Sequence, residues 1–199
     1  MRTLFDVGIP AIEGFRYESD FISREEELAL VGAIRDLTFG TVTFRGVEAK
    51  RRVVQFGWDY RFETRKATPT EPIPSFLIPL QQRAGALVGL NPERLEEILV
   101  TEYQPGAAIG WHRDAPPFGI VIGVSLLSSC KMRLKPMVAR RGDTVAIELE
   151  RRSVYVFAGA ARSDWQHSIP PAKELRYSIT FRTLTSRPGD GGAKAPRYI

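Results

Sequence analysis

The stretch Arg176-Tyr177-Ser178-Ile179-Thr180-Phe181-Arg182 alternates between charged or small polar residues and larger, mainly apolar ones. Because successive residues of a β-strand point to opposite faces, this alternation predicts a half-buried strand. One face would carry Arg176, Ser178, Thr180 and Arg182. Two guanidiniums on one face suit a small dianion, because arginine stays charged and binds carboxylates through paired hydrogen bonds. The alternative is an ordinary solvated strand face.

Two histidines, the only ones in the chain, precede that strand, in Trp111-His112-Arg113-Asp114 and Trp165-Gln166-His167-Ser168. On a strand, His112 and Asp114 can both face one ion, whereas on a helix they would point nearly opposite ways. Two imidazoles and one carboxylate are the donor set of mononuclear Fe(II) sites that keep three positions open for substrates. Either histidine alone could be a packing or surface residue. The order of the three elements favours a site formed by His112, Asp114 and His167.

Patterns in the N-terminal third favour helices, and most of the remaining chain favours strands. Ser23-Arg24-Glu25-Glu26 is a capping box for a helix that ends near Leu37. Residues 74–88 predict a second helix, and Asn91-Pro92 starts a short third one. Strand candidates are 98–104, 119–127, 131–136, 144–148, 153–157 and 176–183. This succession predicts an α+β, mostly β domain: a double-stranded β-helix (jelly roll) core backed by N-terminal helices.

Composition limits the possible classes of protein. The chain has 199 residues, 43% of them hydrophobic, and one cysteine, Cys130, so it can bury one core and cannot form an intramolecular disulfide. We expect a single domain over residues 1–185 and a mobile, Gly- and Pro-rich tail over 186–199. Without a signal-like segment or a run of about 18 apolar residues, we expect a soluble cytoplasmic monomer that does not bind membranes.

The positive charge favours a polyanionic partner moderately. The formal net charge is +5, and basic residues cluster in Lys50-Arg51-Arg52, Arg61, Arg65-Lys66, Arg140-Arg141 and Arg151-Arg152. If these clusters converge on one face, they would contact phosphates and make binding salt-dependent. The alternative is ordinary solvation of turns.

Five motifs together carry a family resemblance: Tyr103-Gln104-Pro105-Gly106, Trp111-His112-Arg113-Asp114, Gly123-Val124-Ser125-Leu126, Trp165-x-His167-x-Ile169 and the strand from Arg176 to Arg182. Over about residues 50–184 the chain resembles the AlkB-like 2-oxoglutarate and Fe(II)-dependent dioxygenases. The resemblance implies Fe(II) on His112, Asp114 and His167, with 2-oxoglutarate and O2 as cosubstrates. It implies that Tyr103 hydrogen-bonds 2-oxoglutarate, that Arg176 grips its distal C5 carboxylate and that Arg182 grips its metal-bound end.

Three departures from the family pattern bear on these expectations. Thr101 and Ser178 stand where many relatives carry asparagine, and both can still hydrogen-bond the cosubstrate. Ala115-Pro116-Pro117 stands where some nucleic-acid-repairing relatives carry acidic residues that read the target base. The base preference is therefore open.

The resemblance implies oxidative demethylation of N-alkylated bases, of the 1-methyladenine or 3-methylcytosine type, in DNA or RNA. Formaldehyde, succinate and CO2 would be released. The expected partner is single-stranded or flipped-out nucleic acid, because a base inside a duplex cannot reach the metal. One alternative is a 2-oxoglutarate oxygenase acting on a protein or small molecule. Another is a binding module without the chemistry, against which the intact donor set and arginine pair argue.

Residues 51–62 interleave arginines with aromatic residues. Aromatic rings stack on bases and arginines meet phosphates, so the segment is a candidate substrate lid, although a core hairpin would show the same pattern. The resemblance favours a nucleotide-recognition lid over about residues 42–65, with Trp58 and Tyr60 as base-stacking residues. Strand parity predicts that Arg113 points away from the metal and contacts substrate or neighbouring strands.

Overall fold

The computed structural model describes residues 11–44, 46–61, 66–140 and 142–185. The predicted tail, 186–199, lies outside these residues. The helices are α1 (Arg24–Arg35), α2 (Ile78–Leu87) and α3 (Gly159–Ser163), with 3-10 turns at Ser75–Leu77 and Pro92–Arg94. The strands are β1 (Phe15–Glu18), β2 (Gly40–Phe44), β3 (Val47–Phe56), β4 (Trp58–Arg61), β5 (Lys66–Pro69), β6 (Glu97–Tyr103), β7 (Ile109–His112), β8 (Phe118–Leu126), β9 (Cys130–Pro136), β10 (Val145–Leu149), β11 (Val154–Phe157), β12 (Trp165–Ile169) and β13 (Arg176–Leu184).

Two antiparallel sheets form the body of the fold. The larger sheet has the strand order β1-β11-β8-β13-β6-β3-β2, and the smaller has the order β10-β9-β12-β7. Apolar residues of both sheets, among them Met132, Leu134, Ile147 and Phe157, form one core cluster. Strands β4 and β5 form a separate hairpin. The predicted fold class, a mostly β jelly roll backed by helices, is confirmed.

Strand β13 lies in the middle of the larger sheet, between β8 and β6. Its outward residues Tyr177, Ile179 and Phe181 join a core cluster with apolar residues of α1 and α2. On the inward face, Arg176 is 1% exposed and Thr180 is 6% exposed. The predicted alternation is therefore correct, and the alternative of a solvated face is wrong.

The helices begin where the sequence predicts. The Ser23 hydroxyl accepts a hydrogen bond from the Glu26 amide at 3.1 Å, and the Glu26 carboxylate accepts one from the Ser23 amide at 2.8 Å. These two bonds satisfy amide groups that the first helical turn cannot. The predicted third helix is a single 3-10 turn capped by Asn91, whose side chain accepts from the Glu93 amide. None of the helices in the described ranges is long and apolar enough to span a membrane.

The N-terminal third is not mainly helical, which corrects the sequence-based expectation. It holds one helix, α1, together with strands β1 to β4. Strand β3 pairs with β6 and extends the larger sheet. Charged residues occupy both of its faces: Arg52 pairs with Glu102 on the outer side, while Arg51 lines a cavity on the inner side. Because charge on both faces weakens the apolar alternation, the sequence pattern left a lid and a core hairpin as alternatives here.

Gly57 separates β3 from β4 and thereby sets the direction of the hairpin. Its φ is +78°, and an added Cβ would lie 2.1 Å from the Glu96 carbonyl oxygen. We expect Gly57→Ala to lower the free energy of unfolding by at least about 2 kcal/mol in urea titrations. Gly32→Ala is the control, because a Cβ there meets nothing within 4 Å. This change inside α1 should stabilise the protein by up to about 1 kcal/mol, and similar effects of both substitutions would contradict the argument.

Candidate active site

The two histidines face each other across β7 and β12. His112 and His167 are register partners, and their ring centroids lie 4.2 Å apart. Nδ1 of His112 lies 2.9 Å from the Gly110 carbonyl oxygen. In the tautomer that donates this hydrogen bond, Nε2 is free to bind a cation. The Phe157 ring stacks on the His167 ring at 4.9 Å between centroids and restricts its orientation.

Asp114 follows β7 and directs one carboxylate oxygen toward His167. Its Oδ2 lies 3.7 Å from Nε2 of His167, while Oδ1 accepts hydrogen bonds from Arg182 at 2.7 and 3.0 Å. The structure thus brings the three predicted ligands together. Among the described residues, no three His, Cys, Asp or Glu side chains form a closed metal site. Ligands about 2.1 Å from one ion lie about 3 Å apart, so the 3.7 Å gap would have to close by under 1 Å.

Burial and charge give these side chains the protonation states that a cation requires. Burial lowers the pKa of His167 to about 3, although the Asp114 carboxylate opposes the shift. Burial lowers the pKa of His112 as well. For Asp114, burial acts to raise the pKa, but the surrounding charges, with the Arg182 guanidinium first among them, together outweigh burial and hold that pKa well below its usual range. Neutral imidazoles beside an ionised carboxylate can bind metal without first losing protons.

Acid should destabilise the metal-free protein through His167. Its pKa of about 3 in the folded protein lies below the ordinary value of 6.5, so between these values only the unfolded chain binds the proton. The free energy of unfolding should therefore fall as the pH drops from 6.5 toward 3, by up to about 1.4 kcal/mol per pH unit from this residue. Urea titrations across that range should show a shallower slope for His167→Asn. An unchanged slope would contradict the assignment.

Arg182 bridges Asp114 and Glu97. The sequence analysis did not single out Glu97. Nη1 of Arg182 donates to both carboxylate oxygens of Glu97, at 2.9 and 3.0 Å. Glu97 is fully buried, and burial raises its pKa to about 7 against the opposing effect of Arg182. In this structure the Arg182 guanidinium therefore holds the Asp114 carboxylate. Its contact with the metal-bound end of 2-oxoglutarate remains a prediction.

Arg176 is buried beside the Tyr103 ring, and two of its nitrogens have no hydrogen-bond acceptor among the described residues. Its guanidinium carbon lies 5.0 Å from the Tyr103 ring centroid, and its Nε donates to the Ser125 hydroxyl at 3.0 Å. Both terminal nitrogens, Nη1 and Nη2, are buried without a hydrogen-bond partner among the described residues. Leaving buried charged donors unsatisfied is costly, so the position fits an incoming carboxylate.

One cavity of about 360 Å³ connects these groups. Its lining includes all three predicted metal ligands and four of the predicted cosubstrate residues, Thr101, Tyr103, Ser178 and Arg182. Of the predicted substrate residues, Tyr60 and Arg113 line it. Trp58 is not among the described lining residues, and like Tyr60 it packs against a small cluster of Ala115, Phe118 and Leu184. Its prediction as a base-stacking residue gains no support from this placement.

The predicted lid, 42–65, divides into two parts in the structure. Residues 52–56 pair with β6 and belong to the larger sheet, whereas β4 pairs with β5 in the separate hairpin. Residues 45 and 62–65 lie outside the described residues. Both parts contribute to the cavity wall, Val42 and Arg51 from the sheet and Asp59 and Tyr60 from the hairpin. Asp59 is a carboxylate that the sequence pattern did not assign to the site.

Two arginines fix the backbone around Asp114. Arg162, which the sequence analysis missed, donates from Nη2 to the carbonyl oxygens of Asp114, Ala115 and Phe118 at 3.1, 2.7 and 2.8 Å. Arg113 donates to the Ser163 carbonyl oxygen at 2.6 Å. Arg113 thus contacts helix α3 rather than a neighbouring strand, and its contact with substrate stays a prediction. These interactions connect α3 to the segment that carries Asp114.

Three arginines of the basic clusters pair with carboxylates. Arg52 binds Glu102 at 2.7 Å, Arg151 binds Glu27, and Arg152 binds Asp20 at 3.0 Å. Arg51 lines the cavity.

A model of the 2OG-Fe(II) oxygenase superfamily matches residues 19–182. The chain belongs to this superfamily. It is 28% identical to the uncharacterized protein L905 of Acanthamoeba polyphaga mimivirus over 193 residues, which cover 87% of this chain and 86% of L905. It is also 28% identical to the tRNA (carboxymethyluridine(34)-5-O)-methyltransferase ALKBH8 of Mus musculus over 196 residues, which cover 93% of this chain but 29% of the mouse protein.

The solved structure of OsALKBH1 shares the fold, with a TM-score of 0.67 at 15% identity, over 88% of this chain and 99% of that chain. The similarity to ALKBH8 and the fold shared with OsALKBH1 agree with the AlkB-like resemblance of the motifs. The superfamily implies Fe(II), 2-oxoglutarate and O2. The donor set around Asp114 and the open donors of Arg176 fit the first two.

Proposed function

We propose that this protein is an Fe(II)/2-oxoglutarate-dependent dioxygenase that demethylates N-alkylated bases in single-stranded or flipped-out DNA or RNA. The observation that carries the proposal is the single cavity that connects the His-Asp-His cluster with Arg51, Asp59 and Tyr60. A base can stack on Tyr60, and a phosphate can meet Arg51. The mouse relative, of which this chain covers 29%, is named for a reaction on tRNA, which supports nucleic acid as the substrate class.

Each group of side chains has a distinct task in this proposal. His112, Asp114 and His167 would hold the iron, and Arg176 and Tyr103 would hold the distal part of 2-oxoglutarate. When bound, the iron and 2-oxoglutarate would supply the oxidation of the N-methyl carbon with O2, which yields succinate, CO2 and, after loss of the hydroxymethyl group, formaldehyde. The protein contributes positioning and electrostatics. Arg182 would orient the Asp114 carboxylate, and Arg162 would fix the backbone that carries it.

The position of Asp59 in the cavity wall favours an alkylated base with a positive charge as the substrate. Asp59 lines the cavity from β4, whereas Ala115-Pro116-Pro117 carries no acidic side chain after the proposed metal ligand. Methylation at N1 of adenine or N3 of cytosine gives the base a positive charge. A carboxylate beside the bound base therefore favours such a base over its neutral parent.

Removal of this carboxylate charge should reduce the preference for cationic bases. We expect Asp59→Asn to lower, by about tenfold, the ratio of affinities for a strand with 1-methyladenine and the same strand with adenine. Fluorescence anisotropy with the two oligonucleotides measures this ratio. Asp36→Asn removes the same charge at the exposed C-terminal cap of α1 and should leave the ratio unchanged. An equal change in both variants would contradict a local role for Asp59.

The proposed activity can be tested directly. The protein, loaded anaerobically with Fe(II), is given 2-oxoglutarate, air and single-stranded DNA or RNA that carries 1-methyladenine or 3-methylcytosine. Mass spectrometry should show the loss of one methyl group, and His112→Ala should abolish it. If the methylated strands survive while 2-oxoglutarate is consumed, the iron chemistry stands and the nucleic-acid assignment fails.

A second candidate is a 2-oxoglutarate oxygenase that acts on a protein or small molecule. The pairing of Arg52, Arg151 and Arg152 with carboxylates favours it, because these cations are then less available to phosphates. The same cavity and the same iron chemistry would serve such a substrate. Salt-independent binding of oligonucleotides, or no binding at all, would support this candidate over the first.

A further inference from the structure

Tyr155 is a cavity residue to which neither the sequence motifs nor the proposed function gives a task. It lies on β11, is 8% exposed and lines the same cavity as the histidines. It is the register partner of Gly123 on β8, and Gly123 is in turn the partner of Thr180 on β13. Paired residues face the same side of a sheet, so the phenol points inward. It lies level with Thr180, which stands between Arg176 and Arg182 along β13.

Gly123 leaves the space that the phenol fills. A Cβ at this position would lie 2.2 Å from Cζ of Tyr155 and 2.5 Å from its hydroxyl oxygen. The end of the ring therefore rests directly on the backbone of β8. Glycine weakens a strand interior, and where it occurs it often marks the close approach of another group. The pair Gly123 and Tyr155 thus holds a hydroxyl at a defined position in the cavity.

The hydroxyl of Tyr155 has no hydrogen-bond partner within the described ranges. Nearby, Nη1 and Nη2 of Arg176 also lack one among those residues. Tyr103 presents a second phenol to the cavity, whereas the hydroxyls of Thr101, Ser178 and Thr180 on the inward face belong to short side chains. A phenol and a guanidinium that both lack an acceptor are complementary to one carboxylate, which can accept from both at once.

We propose that the Tyr155 hydroxyl donates a hydrogen bond to the distal carboxylate of 2-oxoglutarate beside Arg176, and that Gly123 makes room for this contact. Tyr155 is then a determinant of selectivity for a dicarboxylic over a monocarboxylic 2-oxo acid. The inference rests on the cosubstrate of the proposed function and is independent of its nucleic-acid part.

The electrostatic surroundings agree with the role of a donor. Burial raises the pKa of Tyr155 well above its usual value, and the charge of Asp114 raises it further, while Arg176 and Arg182 act in the opposite direction. The phenol therefore stays protonated at neutral pH. It is influenced by both guanidiniums, as expected for a group at the level of β13 between them.

The test is binding of two ligands without nucleic acid. Calorimetry under anaerobic conditions, with Fe(II) present, measures the affinity for 2-oxoglutarate and for 2-oxopentanoate, which has the same chain length but no distal carboxylate. We expect Tyr155→Phe to weaken the affinity for 2-oxoglutarate about tenfold or more and to change the affinity for 2-oxopentanoate less than twofold. Tyr177→Phe is the matched control, because that hydroxyl binds Glu102 on the outer face of the sheet, and it should change neither affinity.

Gly123→Ala provides an independent arm. The added methyl group should displace the phenol and weaken the affinity for 2-oxoglutarate at least as much as Tyr155→Phe does. In a protein that already carries Tyr155→Ala, the same methyl group should change this affinity little. Circular dichroism verifies that each variant is folded. An affinity of Tyr155→Phe for 2-oxoglutarate within twofold of wild type, or equal weakening of both ligands, would overturn the proposal. So would a wild-type protein that does not prefer 2-oxoglutarate. A failure to demethylate oligonucleotides with these binding results intact would refute only the proposed substrate.

Discussion

Replacement of either histidine by alanine should abolish turnover of 2-oxoglutarate by this protein. His112 and His167 are register partners on adjacent strands, so each variant removes one of two facing imidazoles without breaking the pairing of β7 and β12. Removal of a side chain that hydrogen-bonds a metal ligand typically lowers metal affinity or activity 10- to 100-fold. The loss of a ligand itself should therefore exceed about 100-fold.

Two measurements separate loss of metal from loss of chemistry. Iron retained after anaerobic loading and desalting is measured by atomic emission, and succinate formation by mass spectrometry. Gln166→Ala is the control, because the neighbour of His167 points to the opposite face of β12 and should leave both quantities near wild type. A histidine variant that retains its iron and its succinate formation would remove that residue from the proposed site.

The sequence allows prediction of the candidate site wherever a local rule connects residue spacing to geometry. Strand parity placed Arg176 and Thr180 on one buried face. His112 and Asp114 line one cavity as predicted, but Asp114 lies beyond the end of β7, so strand parity does not account for its position. The capping box located the start of α1. These inferences succeed because side-chain direction in a strand and amide pairing at a helix end depend on residues next to each other in the chain.

The remaining features depend on register between distant segments, which no local pattern encodes. Glu97 faces Arg182, and Tyr155 lies over Gly123, only because β13, β6, β8 and β11 align as they do. Trp58 and Tyr60 show where a local pattern is insufficient. Both were predicted to stack on a base, and both pack against a cluster with Phe118 and Leu184, while Tyr60 also lines the cavity. An aromatic pattern alone does not distinguish packing from binding.

Glu97→Gln should weaken Fe(II) binding by about 10- to 100-fold, the range found when the partner of a metal ligand is removed. Arg182 holds two carboxylates in the structure, that of Asp114 at 2.7 Å and that of Glu97 at 2.9 Å. Above its pKa of about 7, Glu97 is ionised and its negative charge offsets that of the guanidinium, so the charge of Asp114 remains available to a cation. Without that offset, Arg182 competes with the metal for Asp114 and repels the metal directly, since charges in a buried site are weakly screened.

The glutamine variant keeps the size of the side chain and an oxygen that can accept from Arg182, so the loss should be electrostatic rather than steric. Glu102→Gln is the matched control: it removes a buried, arginine-paired carboxylate from the same strand, β6, on the outer face of the sheet. Anaerobic titration with Fe(II) should show weaker binding for Glu97→Gln and wild-type binding for Glu102→Gln. If both variants bind iron like wild type, Glu97 does not act through Arg182. If both lose iron binding equally, the effect comes from lost stability of β6 and not from the charge beside Asp114.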